Sequence, residues 1–195
     1  MKYTLFISLA LSAVSVFAFK ALKTKTYNVD AKQSKAAWTG KKVTGEHTGN
    51  VEVSSGNLLV TENKLTSGTF TLNLASLTVT DIPEADKNAK LVEHLKNDDF
   101  FATNKYPTSQ FVITKSVFKG GDNYELTGNL TIKGITQPIT FPAVVKITDK
   151  SVTGKAQITI NRTKFDIKYK SSNYFENLGD KAIYDDFELS VNLQF

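Results

Sequence analysis

The 195-residue chain contains no cysteine. Disulfides, thiolate metal sites and cysteine nucleophiles are therefore excluded. Stability has to come from an apolar core, which a chain of this length can bury. Arginine is almost absent too: Arg162 is the only one among 24 basic residues. The net charge of +5 is carried by scattered lysines. A nucleic-acid-binding surface gathers basic residues into a stripe with arginine among them, so no nucleic-acid partner is expected. The lysines read as an ordinary solvated surface.

Histidine occurs twice, as His47 and His94, beside Glu46 and Glu93. The spacing matches no compact zinc motif, and neighbours on a strand point to opposite faces, so no metal site is expected. There is no Gly-x-Ser-x-Gly elbow and no phosphate-binding loop. Asp98-Asp99 and Asp185-Asp186 are adjacent carboxylates, the usual pattern of solvated loops. No catalytic residue and no resident cofactor are nominated.

Long hydrophobic runs are missing except at the start. Met1-Lys2 precedes an apolar stretch, Leu5 to Val14, broken only by Ser8 and Ser12, and Ser15-Val16-Phe17-Ala18 follows. That order is a secretory signal over residues 1–18, cleaved near Ala18 and too short to span a bilayer. With no cysteine after it, a lipid anchor on the new N-terminus is not expected. The destination is then periplasmic or secreted, without stable membrane insertion.

What fills the rest is period-two alternation. Apolar rows run through Phe70, Leu72 and Leu74; Tyr124, Leu126, Leu130 and Ile132; Ile139, Phe141, Ala143, Val145 and Ile147; Ala156, Ile158 and Ile160; and Phe187, Leu189, Val191, Leu193 and Phe195. Shorter rows sit at Ala36–Trp38, Val51–Val53, Leu58–Val60 and Phe111–Ile113. Thr, Lys and Asn alternate with them, as a sheet with one buried face requires. Turns are expected at Ser55-Gly56-Asn57, Thr66-Ser67-Gly68, Gly120-Gly121-Asp122-Asn123 and Lys133-Gly134. Pro138 and Pro142 cannot donate to a ladder and place that strand at a rim or bulge. About eight strands with short connections give an all-β sandwich or barrel. One short helix is inserted over Glu84–Lys96, with Leu91, Val92 and Leu95 on one face, followed by the aromatic pair Phe100-Phe101. A second helical turn is expected around Asn173 to Leu178.

These residues also form an ordered set of motifs. They are Trp38-Thr39-Gly40 through His47-Thr48-Gly49; Gly68-Thr69-Phe70 leading to Leu74 and Asp81; His94-Leu95, Asp99-Phe100-Phe101, Tyr106-Pro107 and Phe111; Gly128-Asn129-Leu130 through Thr136; and Ile160-Asn161-Arg162 through Ile167. The set resembles the YceI family over roughly residues 25–195. The resemblance implies an extended antiparallel lipocalin-like barrel over 19–195. It also implies an exported bacterial protein holding an isoprenoid lipid, such as a polyprenol or a quinone tail, inside the barrel. Lipocalins proper read Gly-x-Trp on their first strand, whereas here the order is Trp38-x-Gly40, so the likeness to them is architectural.

An eight-stranded barrel has room for its own side chains or one slender guest. Burying apolar carbon is worth about 0.8 kcal/mol per methylene, so affinity needs only an empty apolar tunnel. The lining candidates are Trp38, Phe70, Leu72, Phe100, Phe101, Phe111, Leu130, Ile132, Phe141 and Phe165. Sequence alone leaves open whether these rings line a hollow or fill a dry core. Arg162, retained where lysine suffices elsewhere, points to a planar multi-donor contact. That contact is either a ligand head group or the chain's own carbonyls. His47 and His94 are the other head-group candidates. The expected function is non-catalytic binding, transport or storage of the lipid. Two alternatives are an outer-membrane barrel, suggested by the alternating aromatic-ended C-terminus, and an enzyme on a hydrophobic substrate drawing on His47, His94, Arg162 and Tyr169. A homodimer is left open.

Overall fold

The structure is a computed structural model that describes residues 22–148 and 150–195. The expected signal sequence over 1–18 lies outside the described residues. Alternation becomes nine antiparallel strands: β1 (Thr24–Asn28), β2 (Lys35–Lys42), β3 (Gly45–Thr61), β4 (Lys64–Asn73), β5 (Thr108–Gly120), β6 (Asn123–Ile132), β7 (Ile135–Ile147), β8 (Val152–Asn161) and β9 (Ile183–Gln194). Strands β2 to β9 close on themselves in the order β3-β2-β9-β8-β7-β6-β5-β4, with β3 also paired to β4. The eight-stranded barrel thus has no free lateral edge around most of its circumference. β1 prolongs the row of β2 by pairing with the far half of β3, Thr24 opposite Thr61.

The faces separate as the pattern requires. On β6, Tyr124, Leu126, Gly128, Leu130 and Ile132 are buried, while Glu125 and Asn129 are exposed. The inner rows merge into one contiguous core, in which Phe165 and Ile167 are each 1% exposed.

Two sequence-read turns prove to be strand. Ser55-Gly56-Asn57 lies within β3 and Thr66-Ser67-Gly68 within β4. The β3–β4 ladder shifts register at Val53/Ser55 and at Leu59/Val60. These glycines and polar residues therefore mark bulges that bend a long hairpin, not its end. The actual reversal is Glu62-Asn63, both at positive φ (49° and 61°). No glycine marks it, which hid it from sequence reading. Lys133-Gly134, at φ 52° and 75°, turns β6 into β7 as expected. β1 went unread because its polar, largely exposed residues carry no apolar row.

Alternate connections lie at opposite ends of the barrel. The tight hairpins β3–β4, β5–β6 and β7–β8 share the lower end. The long connections β4–β5 and β8–β9 share the upper end. The first carries helix α1 (Ala85–Lys96), which buries Leu95 and half-buries Leu91 and Val92. Asn88 ties the helix to the segment before it by donating Nδ2 to the carbonyls of Val79 and Ile82. The second carries a 3-10 turn, Arg162–Phe165, capped by the Asn161 side chain. The helical turn expected at Asn173–Leu178 is absent: that stretch is irregular and exposed, and a short 3-10 turn forms instead at Gly179–Lys181.

Candidate ligand-binding cavity

The inner rows do not meet at the axis. They enclose a cavity of about 140 Å³ that reaches from Leu58 and Leu65 at the lower end to Leu74, Leu77 and Phe101 at the upper. Its one hydroxyl-bearing wall residue, Ser109, has its hydroxyl donating to the Thr131 carbonyl at 2.9 Å. The wall therefore offers apolar carbon and almost no free hydrogen-bonding capacity, an environment that water leaves dry.

A specific pairing keeps this space open. Trp38 stands across the β2–β3 ladder from Gly49, and Phe70 across β3–β4 from Gly56. Phe111 leans over Gly128 on β6. A Cβ at Gly49 would fall 2.6 Å from the indole ring, at Gly56 2.8 Å from the Phe70 ring, and at Gly128 2.5 Å from the Phe111 ring. Each ring packs into the place of a missing side chain, and at Gly49 and Gly128 a backbone carbonyl oxygen, of Thr78 and of Val112, lies nearer still. The Trp38 indole N–H is fixed by the Thr78 carbonyl at 3.2 Å. Phe111 also packs on Phe141, with ring centres 5.2 Å apart. Phe70 meets Phe195 edge-on at 6.1 Å.

Among the sequence candidates, Trp38, Phe70, Leu72, Phe101, Phe111, Leu130, Ile132 and Phe141 stand in the cavity wall. Phe100 and Phe165 do not. Phe100 follows α1 and packs against His94 and Tyr169, at 5.0 and 5.5 Å between ring centres. Phe165 closes the 3-10 turn and is buried within the upper cap. Both serve the plug of the barrel, not its lumen.

Arg162, one of the head-group candidates, has its guanidinium donors on the chain's own carbonyls. Its Nε donates to the Tyr184 carbonyl (3.0 Å), Nη1 to Ile167 (2.8 Å) and Nη2 to Ile183 (3.0 Å). It is 4% exposed, with Asp185 3.5 Å away. Burial lowers its pKa and Asp185 acts in the opposite sense. Three carbonyls, one on each guanidinium nitrogen, explain why lysine does not stand here.

The histidines are cap ties as well. His47 Nδ1 lies 2.8 Å from Asp81, whose other oxygen accepts the Thr48 N–H at 2.9 Å. Burial pulls the Asp81 pKa up, but the Thr48 amide and His47 outweigh it, and the carboxyl sits below its ordinary value. His94 Nε2 lies 3.0 Å from Asp99, with its ring edge-on to Tyr169. Neither histidine reaches the cavity wall. Among the described residues no three metal-ligating side chains come together.

Sequence reasoning passed over much of the wall. Phe187, Leu189, Val191, Leu193 and Phe195 line one side of it. Their alternation is visible in the sequence. Leu77, in the loop after a 3-10 turn, carries no periodic signal, whereas Leu74 closes the row of Phe70 and Leu72.

Comparison with known proteins agrees with this architecture. A UPF0312 protein of Photorhabdus laumondii is 34% identical over 130 residues, 67% of this chain and 62% of that protein. Protein YceI of Shigella flexneri is 36% identical over 83 residues, 39% of this chain and 43% of its own. The chain thus spans only about half the length of these curated relatives. Among solved structures, BcnA of Burkholderia cenocepacia superposes with a TM-score of 0.66 at 22% identity, over 86% of this chain and 99% of that one. A polyisoprenoid binding domain from Saccharophagus degradans, implicated in plant cell wall breakdown, gives 0.61 at 11% identity, over 89% and 98%. Both show a shared fold. The YceI-like domain model matches residues 27–195, and the chain belongs to that family.

Proposed function

We propose that this protein binds a slender apolar molecule of the isoprenoid class, a polyprenol or quinone tail, inside the barrel, and carries or stores it without chemical change. The observation that carries the reading is the dry apolar cavity held open by rings seated on glycines. The isoprenoid class is suggested by a structural neighbour described as a polyisoprenoid binding domain.

The free volume is comparable to the engineered cavity of about 150 Å³ that accepts benzene. One five-carbon unit therefore fits without rearrangement. Its burial contributes at most about 3–4 kcal/mol. Micromolar affinity needs a few such units once ordering costs are met. Longer chains require wall residues to yield or the tail to leave the lumen.

Two other readings are less well supported. A lipid-spanning barrel needs an apolar outer band, whereas the outer positions of β8 are Thr153, Lys155, Gln157 and Thr159. Enzymatic turnover needs polar groups at the substrate, yet His47, His94, Arg162 and Tyr169 all stand outside the cavity wall. The N-terminal apolar run favours an exported, periplasmic or secreted protein.

The test is organic extraction of the purified protein followed by mass spectrometry, then titration with farnesol. Recovery of an isoprenoid, or saturable uptake lost in Phe141→Asp and kept in Lys25→Gln, supports the proposal. Repeated recovery of empty protein that takes up no farnesol refutes it.

A further inference from the structure

The barrel is incompletely zipped at one place. β6 and β7 pair along the whole length of β6, from Ile132 opposite Ile135 to Asn123 opposite Val144. β7 and β8 pair only from Ile147 opposite Val152 to Ala143 opposite Ala156. Above that last pair, β7 residues 135–142 and β8 residues 157–161 run on as strands without bonding to each other.

The cause is written in the backbone. Val145 donates its N–H to Asp122, on the β6 side. In an antiparallel ladder successive residues face opposite neighbours. Odd-numbered residues of β7 thus face β6, and even-numbered ones face β8. Pro138 and Pro142 occupy two of those even positions and have no N–H to give. The ladder stops one residue short of Pro142.

The gap is framed above by the 3-10 turn, where Gln137 Nε2 donates to the Lys164 carbonyl at 3.4 Å. Behind it stand Ile139, Phe141, Ile158 and Ile160, all part of the cavity wall. A shallow groove on the outer surface runs past its foot, lined by Pro142, Val144 and Gln157 among others. The groove and the inner cavity share Ala143, Lys155, Ala156 and Val191. The groove and the cavity lie on the two sides of the wall where the ladder ends.

We infer that the β7–β8 gap is a side entrance, through which an apolar chain threads into the cavity and through which a chain too long for the lumen continues into the outer groove. The inference rests on the cavity being a ligand site. Among the described residues no β7–β8 pairing continues past Ala143 and Ala156, and the apolar side chains of Ile139, Phe141, Ile158 and Ile160 stand behind the gap. Contacts between such side chains reform after each passage, whereas a broken ladder would leave backbone groups unpaired. The upper cap, by contrast, is held by the Arg162 carbonyl bonds and the two His–Asp pairs.

Because the chain has no cysteine, Thr140→Cys/Thr159→Cys creates a unique pair across the gap. Both positions are exposed, and they would be opposed if the ladder continued. The pair is bridged with a bis-maleimide carrying a cleavable spacer. Uptake of a short-tailed prenyl benzoquinone is followed by quenching of Trp38, the only tryptophan and a wall residue. Bridging is expected to slow uptake and release about tenfold or more, since entry then needs a larger rearrangement. Cleaving the spacer restores both rates. Equal rates in bridged and open protein overturn the entrance while leaving the cavity site standing. Absence of quenching in both forms overturns the cavity site, and the entrance with it. Pro138→Thr/Pro142→Thr is the second variant, supplying the missing donors. Slower amide exchange at Thr159 together with slower uptake supports the entrance, and slower exchange with unchanged uptake overturns it.

Discussion

Gly56→Ala is a one-methyl test of whether wall glycines keep the cavity open. The new Cβ lies 2.8 Å from Cδ1 of Phe70 and 2.9 Å from the Thr69 carbonyl oxygen. Both the ring and the Thr69 backbone then have to shift. Moving the ring disturbs its edge contact with Phe195. Overpacking of this kind costs about 1–3 kcal/mol. Gly56 is not at positive φ, so alanine recovers about 0.4–1 kcal/mol by restricting the unfolded chain. A net loss of about 1–2 kcal/mol lowers Tm by about 2–8 °C at this chain length. The displaced ring takes the space of one or two methylenes, each worth about 0.8 kcal/mol, so farnesol binds about 4- to 15-fold more weakly. Gly56→Ala/Phe70→Leu removes the ring and restores affinity while Tm stays low. Thermal melts and Trp38 quenching read both quantities. Wild-type affinity in Gly56→Ala would refute the reasoning, as would failure of Phe70→Leu to rescue it.

Arg162→Lys leaves the carbonyls of Ile167, Ile183 and Tyr184 short of donors, the first of them buried. It is expected to cost about 2–4 kcal/mol, a fall in Tm of about 5–15 °C, with ligand affinity of the folded protein unchanged. A selective loss of affinity for ligands with polar head groups would restore the head-group role. Asp81 has a depressed pKa in the folded state, so its contribution to stability is full above the ordinary aspartate range and is lost as pH falls through the lower, folded value. Denaturant melts of wild type and Asp81→Asn are expected to differ at neutral pH and to converge in strong acid. A gap that persists unchanged at the acid end contradicts the assignment.

The all-β class, most strand centres and α1 were legible because alternation and helical spacing are local properties. Tyr124 to Ile132 show a buried and an exposed face in one dimension, and the β6 ladder only adds partners. Bulges were misread as turns at Gly56 and Gly68 because both features use the same residues. What separates them is whether the neighbouring strand continues alongside, a fact about residues 64–73 and not about 55–57. Arg162 shows the same limit. Its rarity marked a multi-donor contact, but the acceptors are supplied by residues 167, 183 and 184. No local pattern joins them to it.

Composition and periodicity by themselves determined a cysteine-free β-protein with an apolar inner face, because each strand's burial follows from its own two-residue repeat. Tertiary structure alone decided that the inner faces leave a hollow. Whether Trp38, Phe70 and Phe111 fill the axis or lie against the wall depends on which glycine the register sets beside each ring. Register is a property of paired strands, absent from any one of them.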